Sequence, residues 1–272
     1  MRAVFATNGA VRLGYDDLGP PDAEPILMLM GLAASRFWWP PGLLTALQAE
    51  GYRPVVVDLR DSGESTRMTA PYRVEDLTDD VIAVADDLGL ASAHVFGLSF
   101  GGVIAQRVAL RHPDRIRTMT CFAAGPSDAG LATVVLRYFR WSTQLKLIRL
   151  TRRDGTDEDL AEALMDVAGY PDAGDFARAT AKRDREHGIR SFRDTAAQGR
   201  QVRARWHGPK LTEMRVPALV MCGEADPVLR TRASRDAAAA IPGARLTVLP
   251  GVGHMPPPES WATIARAVRD LR

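Results

Sequence analysis

The chain has 272 residues, of which 46% are hydrophobic and 25% charged, the balance of an ordinary globular protein rather than a disordered chain or a small stapled module. Its 35 basic and 33 acidic residues leave a net charge of +2, without the clustered excess of base that a nucleic-acid or acidic-membrane partner requires, so neither partner is expected. Two cysteines, Cys121 and Cys222, each inside an apolar run, exclude a disulfide framework and read as small core residues in a reducing compartment.

Residues 1–15 lack the basic flank and continuous apolar stretch of a secretory signal, and the nearby apolar run 25–34 is too short to cross a bilayer. The expected location is therefore the cytoplasm. Runs at 4–7 and 11–15 flank Asn8-Gly9 and predict an antiparallel hairpin at a sheet edge. From residue 25 onward, apolar runs at 26–30, 53–58, 94–97, 117–123, 218–223 and 246–249 alternate with amphipathic stretches at 43–50, 74–88, 102–111, 232–241 and 261–271. Near-continuous Val, Ile and Leu runs separated by helical patterns indicate buried parallel strands with helices on both faces.

The alternation breaks between residues 126 and 209. That stretch carries no strand-like run but shows helical periodicity at 131–150, 157–168, 175–187 and 191–205. The expected organisation is an α/β core over 1–125, a helical cap insert over 126–209 and the rest of the core over 210–272. The many arginines of the insert read as solvated helix faces.

Gly97-Leu98-Ser99-Phe100-Gly101 follows directly on the run 94–97 and opens the helical stretch 102–111. A serine at so tight a strand-to-helix turn adopts a strained backbone, the flanking glycines let strand and helix approach, and the hydroxyl projects beside the positive end of the helix dipole. A serine hydroxyl is a weak nucleophile at neutral pH and needs a base, together with a group that fixes the tautomer of that base. Of the five histidines, His94 opens a strand, His112 ends a helix, and His187 and His207 belong to the insert or its boundary. His254, in the loop Pro250-Gly251-Val252-Gly253-His254, follows the last strand and faces the same sheet edge as Ser99, so it is the candidate base. Asp226, in Gly223-Glu224-Ala225-Asp226-Pro227 after the strand at 218–223, is the candidate acid, with Asp128 as its competitor. Two backbone N–H groups are needed for the tetrahedral oxyanion. Phe100 at the helix start supplies one, and Leu32, turned by Gly31 after the first parallel strand, supplies the other. Trp38 and Trp39, just beyond that loop, are candidates to line the substrate pocket, with core anchoring as the competing role. No cofactor and no metal are expected.

The order Ser99, Asp226, His254, the elbow and the helices inserted before the strand of the acid resemble the α/β-hydrolase superfamily over essentially the whole chain. More narrowly, Leu29-Met30-Gly31-Leu32, Asp58-Leu59-Arg60-Asp61-Ser62-Gly63-Glu64-Ser65 and the loop ending in His254 are similar to the aclacinomycin methylesterase group, although Met30 stands where a histidine is common elsewhere in the superfamily. The resemblance implies Ser99 as nucleophile, His254 as base, Asp226 as orienting acid and Leu32 with Phe100 as oxyanion donors. It also implies a small-molecule ester substrate, a methyl ester of a bulky polyketide-like acid in that group. Thioester or carbon-carbon bond hydrolysis would use the same machinery. A ligand receptor or a biosynthetic cyclase on this fold is the alternative of another class.

Overall fold

In the computed structural model, which describes residues 4–151 and 155–272, eight strands form one sheet. They are β1 (Val4–Asn8), β2 (Val11–Asp17), β3 (Glu24–Leu29), β4 (Tyr52–Val57), β5 (Ala93–Leu98), β6 (Ile116–Phe122), β7 (Ala218–Gly223) and β8 (Arg245–Leu249), in the spatial order 1-2-4-3-5-6-7-8. The hairpin β1–β2 and the pair β2–β4 are antiparallel, and every later pairing is parallel. Asn8 pairs with Val11, so the hairpin turn is Gly9-Ala10, one residue later than expected, with Gly9 in the left-handed region at φ 59°.

Alternation along the central strands divides the core in two. Leu27, Val95 and Val220 face a layer containing Leu77 and Val81 of α2 (Val74–Asp87) and Ile104 of α3 (Phe100–Arg111). Met28, Phe96 and Leu219 face the opposite layer, with Leu43 of α1 (Pro41–Ala49) and Ile264 and Val268 of α10 (Pro258–Arg269). Both faces of the central strands are thus covered, as a parallel sheet requires. The fold is the α/β-hydrolase fold that the resemblance implies.

Helices α4 (Leu131–Thr133), α5 (Trp141–Thr151), α6 (Asp157–Val167), α7 (Gly174–Glu186) and α8 (Thr195–Arg203) lie between β6 and β7, and α9 (Arg232–Ala240) follows β7. The continuous helix expected over 131–150 is broken. A π-helical turn at Val134–Tyr138 ends where Phe139 forms an antiparallel bridge with Leu229. The Arg140 N–H donates to the Val228 carbonyl at 3.1 Å, and the Arg230 N–H to the Tyr138 carbonyl at 2.8 Å. Pairing with the loop after β7 overrides the local helical periodicity.

The segment after β4 is held by a buried ionic cluster. Arg36 reaches Asp16 at 3.0 Å and Glu64 at 2.6 Å and also contacts Asp58, while Asp58 accepts the N–H groups of Arg36 at 2.6 Å and Glu64 at 2.9 Å. Burial favours the neutral form of Glu64, but hydrogen bonds from Arg36 and His187 outweigh it and hold the carboxyl below its usual range. A carboxyl lowered by folding contributes stability that is present above its unfolded value, about 4.3, and is lost as pH falls through its folded value. Because Glu64 is partly solvated, the contribution is on the order of 0.5 kcal/mol. Glu64→Gln is therefore expected to flatten the decline of Tm between about pH 5 and pH 3. A slope equal to that of the wild type would show that the pair adds nothing.

Candidate active site

Ser99 sits between β5 and α3 with φ 54° and ψ −116°, a strained conformation for a residue with a side chain. It persists because the surroundings leave no room for another path. The Ser99 N–H donates to the Phe122 carbonyl at 2.8 Å, and the Val103 N–H to the Ser99 carbonyl at 3.1 Å. A Cβ at Gly97 would collide with the Gly101 carbonyl, and one at Gly101 would collide with the Leu29 carbonyl. A Cβ at Gly102 would lie 2.8 Å from that of Ala124. The glycines around the serine are thus required by close backbone approach.

Asp226 and His254 come together. His254 Nδ1–H donates to Asp226 Oδ2 at 2.8 Å, which leaves Nε2 as the free acceptor of the neutral ring. Asp226 is 2% exposed, and its Oδ1 accepts the N–H groups of Val228 at 2.7 Å and Leu229 at 2.9 Å. The two loops are stitched to each other, with the Ala225 N–H donating to the Val252 carbonyl at 3.0 Å and the Glu224 N–H to the Leu249 carbonyl at 2.9 Å. Ser99 follows β5 and these loops follow β7 and β8, so all three residues occupy the C-terminal edge of the parallel sheet. Among the described residues no hydrogen bond joins the Ser99 hydroxyl to His254.

Sequence reading did not find the part that the insert plays in holding these loops. The His254 N–H donates to the Ala168 carbonyl at 2.8 Å, just after α6. Arg140 Nε donates to the Asp226 carbonyl at 2.9 Å, and the Thr143 hydroxyl donates to the Pro227 carbonyl. These contacts join residues more than 80 positions apart, and no local pattern announces them.

A Cβ at Gly31 would lie 3.5 Å from Ser99 Cβ, which places the loop after β3 beside the serine. Its left-handed residue is Ala33, at φ 64°, rather than Gly31, and the Ala34 N–H closes the turn on the Gly31 carbonyl at 3.2 Å. The N–H groups of Leu32 and Phe100 donate to no backbone carbonyl among the described residues. Trp38 and Trp39 are each 1% exposed. Trp38 packs edge-on against Phe192 at 5.0 Å between ring centroids and donates from Nε1 to Asp184 at 2.9 Å, and Trp39 packs on Phe96 at 5.5 Å. Both are engaged in packing.

The other candidates lie elsewhere. Asp128 accepts the Leu211 N–H at 3.3 Å. His94 contacts Thr118 at 2.7 Å, His112 contacts Asp79 at 3.0 Å, His187 contacts Glu64 at 3.1 Å, and His207 stands 3.6 Å from Glu75. A hollow of about 400 Å³, lined by Thr7, Asn8, Asp79, Asp86, Asp87 and His112, opens at the far end of α3. The 12 residues of that helix span about 18 Å, so this hollow is not part of the site. Among the described residues no cluster of His, Cys, Asp and Glu could hold a metal, and no helix is long and apolar enough to cross a membrane.

Rhodomycin D methylesterase DnrP of Streptomyces peucetius is 29% identical over 96% of this chain and 95% of its own. The 3-oxoadipate enol-lactonase 2 of Acinetobacter baylyi is 27% identical over 80% of this chain and 77% of its own. The esterase RhEst1 of a Rhodococcus species superposes with a TM-score of 0.78 at 21% identity, covering 99% of both chains. Residues 24–260 match the family described as the alpha/beta hydrolase fold. On that match the chain belongs to the alpha/beta hydrolase family.

Proposed function

We propose that Ser99, His254 and Asp226 form the catalytic triad of a serine esterase that works through an acyl-enzyme. The observation that carries this reading is the Asp226–His254 hydrogen bond of 2.8 Å at the sheet edge where Ser99 occupies the strained elbow. In the first half-reaction His254 Nε2 takes the Ser99 proton as Oγ attacks the ester carbonyl. The buried Asp226 carboxylate holds Nδ1–H and stabilises the imidazolium that results. The N–H groups of Leu32 and Phe100 receive the negative charge on the carbonyl oxygen. Collapse breaks the bond to the alkoxy group, which leaves with the proton from His254 as an alcohol. Water then repeats the sequence on the acyl-enzyme, His254 accepts its proton, and the acid and the free Ser99 hydroxyl are released.

The insert is a lid over this centre, tied to both the Asp226 and the His254 loops. A lid closed over the reaction centre favours a compact ring-bearing acyl group over an open lipid interface. Two relatives are named as rhodomycin D methylesterases, and the substrate class proposed on that likeness is an ester of a bulky acid with a small alcohol such as methanol. In a matched series, methyl esters of ring-bearing acids are expected to exceed long-chain acyl esters in kcat/KM by about tenfold or more, because apolar contacts kept in the transition state raise that ratio. Steady-state kinetics checks it. If palmitoyl esters or triglycerides were the best substrates, with activity rising at an oil interface, a lipase would replace the methylesterase reading.

A further inference from the structure

We infer that Asp184, on the insert, is a positioning residue for the oxyanion loop. The inference rests on the assignment of the Leu32 amide to the oxyanion hole. Asp184 lies near the end of α7 and is 3% exposed. Its Oδ1 accepts the Ser35 hydroxyl at 2.6 Å, and its Oδ2 accepts Trp38 Nε1–H at 2.9 Å and the Ser191 hydroxyl at 2.5 Å. Ser35 and Trp38 are the two ends of the short helical turn that begins directly after residues 31–34. The carboxylate therefore clamps that turn at both ends, while the Arg36 N–H, between them, is held from the core by Asp58 at 2.6 Å. Only Ala33 and Ala34 separate Ser35 from Leu32, and Ala33 is fixed in the left-handed region, so the direction of the Leu32 N–H depends on where Ser35 is held.

Stability alone does not account for a carboxylate at this position. Among the described residues Asp184 forms no ion pair, and burial raises its carboxyl above the usual range despite the hydrogen bonds from Ser191, Ser35 and Trp38. An ionised group outside any ion pair is costly to bury, whereas the geometry of three convergent donors is what such a group supplies. The insert reinforces the same turn from outside. The Arg183 guanidinium lies 3.7 Å from the centre of the Phe37 ring, and the His187 ring packs against it at 5.0 Å. The lid therefore sets one of the two donors of the reaction centre, in addition to covering it.

The test compares Asp184→Ala, Ser35→Ala and Asp184→Asn with the wild type by hydrogen exchange of the peptide covering residues 31–39 and by steady-state kinetics on an ester that the wild type hydrolyses. The two alanine variants are expected to exchange faster at 31–39, with β8 and α10 as in the wild type. Their kcat is expected to fall at least about tenfold, with KM within about threefold, because misplacing an oxyanion donor by about 1 Å acts mainly on the transition state. Asp184→Asn recovers most of kcat, since its carbonyl oxygen still accepts from Trp38 and Ser191 and its amide can donate to the Ser35 hydroxyl. Ser35→Ala keeps the test open if Asp184→Ala does not fold. The inference is overturned if kcat in the folded alanine variants stays within twofold of the wild type, or if exchange rises evenly through the molecule. A wild type that hydrolyses no ester sinks the functional reading instead, and the exchange comparison, which needs no turnover, still decides whether Asp184 holds the loop.

Discussion

Ser99→Ala is expected to lower ester hydrolysis by about 10⁴-fold or more while Tm stays within a few degrees of the wild type. The substitution removes one hydroxyl that forms no hydrogen bond to His254, and it leaves intact the packing of Gly97, Gly101 and Gly102 that fixes the elbow. Chemistry is therefore lost with few contacts. Alanine at φ 54° carries the same backbone strain as serine, so no relaxation of the turn compensates. Kinetics at substrate saturation together with a thermal melt check both halves of this result. A variant that keeps more than about a tenth of wild-type turnover would remove Ser99 from the role of nucleophile.

Asp226→Asn is expected to reduce kcat by about 10⁴-fold, and Asp128→Asn by less than about twofold. Asp226 accepts His254 Nδ1–H and two backbone N–H groups, all at 2.9 Å or less, so an amide there turns a donor toward at least one donor and favours the other tautomer of the ring. With the proton on Nε2, His254 cannot accept from Ser99. Asp128 accepts one backbone N–H, at 3.3 Å, and has no contact with His254. Comparison of kcat for the two variants decides it, and the reverse ranking would move the acid to the connection after β6.

The sheet was legible because each of its parallel strands, β3 to β8, is a short apolar run of its own, and Ser99, Asp226 and His254 stand where those runs end. Period and spacing suffice for such features, since the signal lies within a few residues. The break in the helix expected over 131–150 was not legible, because it is caused by Leu229, about 90 residues away, drawing Phe139 into an extended bridge. The same holds for the turn of the oxyanion loop. Gly31 was the natural choice by residue type, yet Ala33 takes the left-handed conformation, since the clamp on Ser35 and Trp38 dictates where the chain goes next. Trp38 and Trp39 illustrate a third limit. Aromatic residues beside a reactive loop look alike in sequence whether they face a ligand or the core, and here Asp184 and Phe96 occupy them.

The central claim, that Ser99 is the nucleophile of an esterase, is tested most directly by reacting the protein with a fluorophosphonate and locating the adduct by mass spectrometry while ester turnover is followed. The account predicts one adduct per chain, carried by Ser99 Oγ, with turnover lost in proportion to labelling. An adduct on another residue, or turnover that persists after complete labelling of Ser99, would contradict it, and stoichiometric labelling of a protein that hydrolyses no ester would favour a ligand receptor on the same fold.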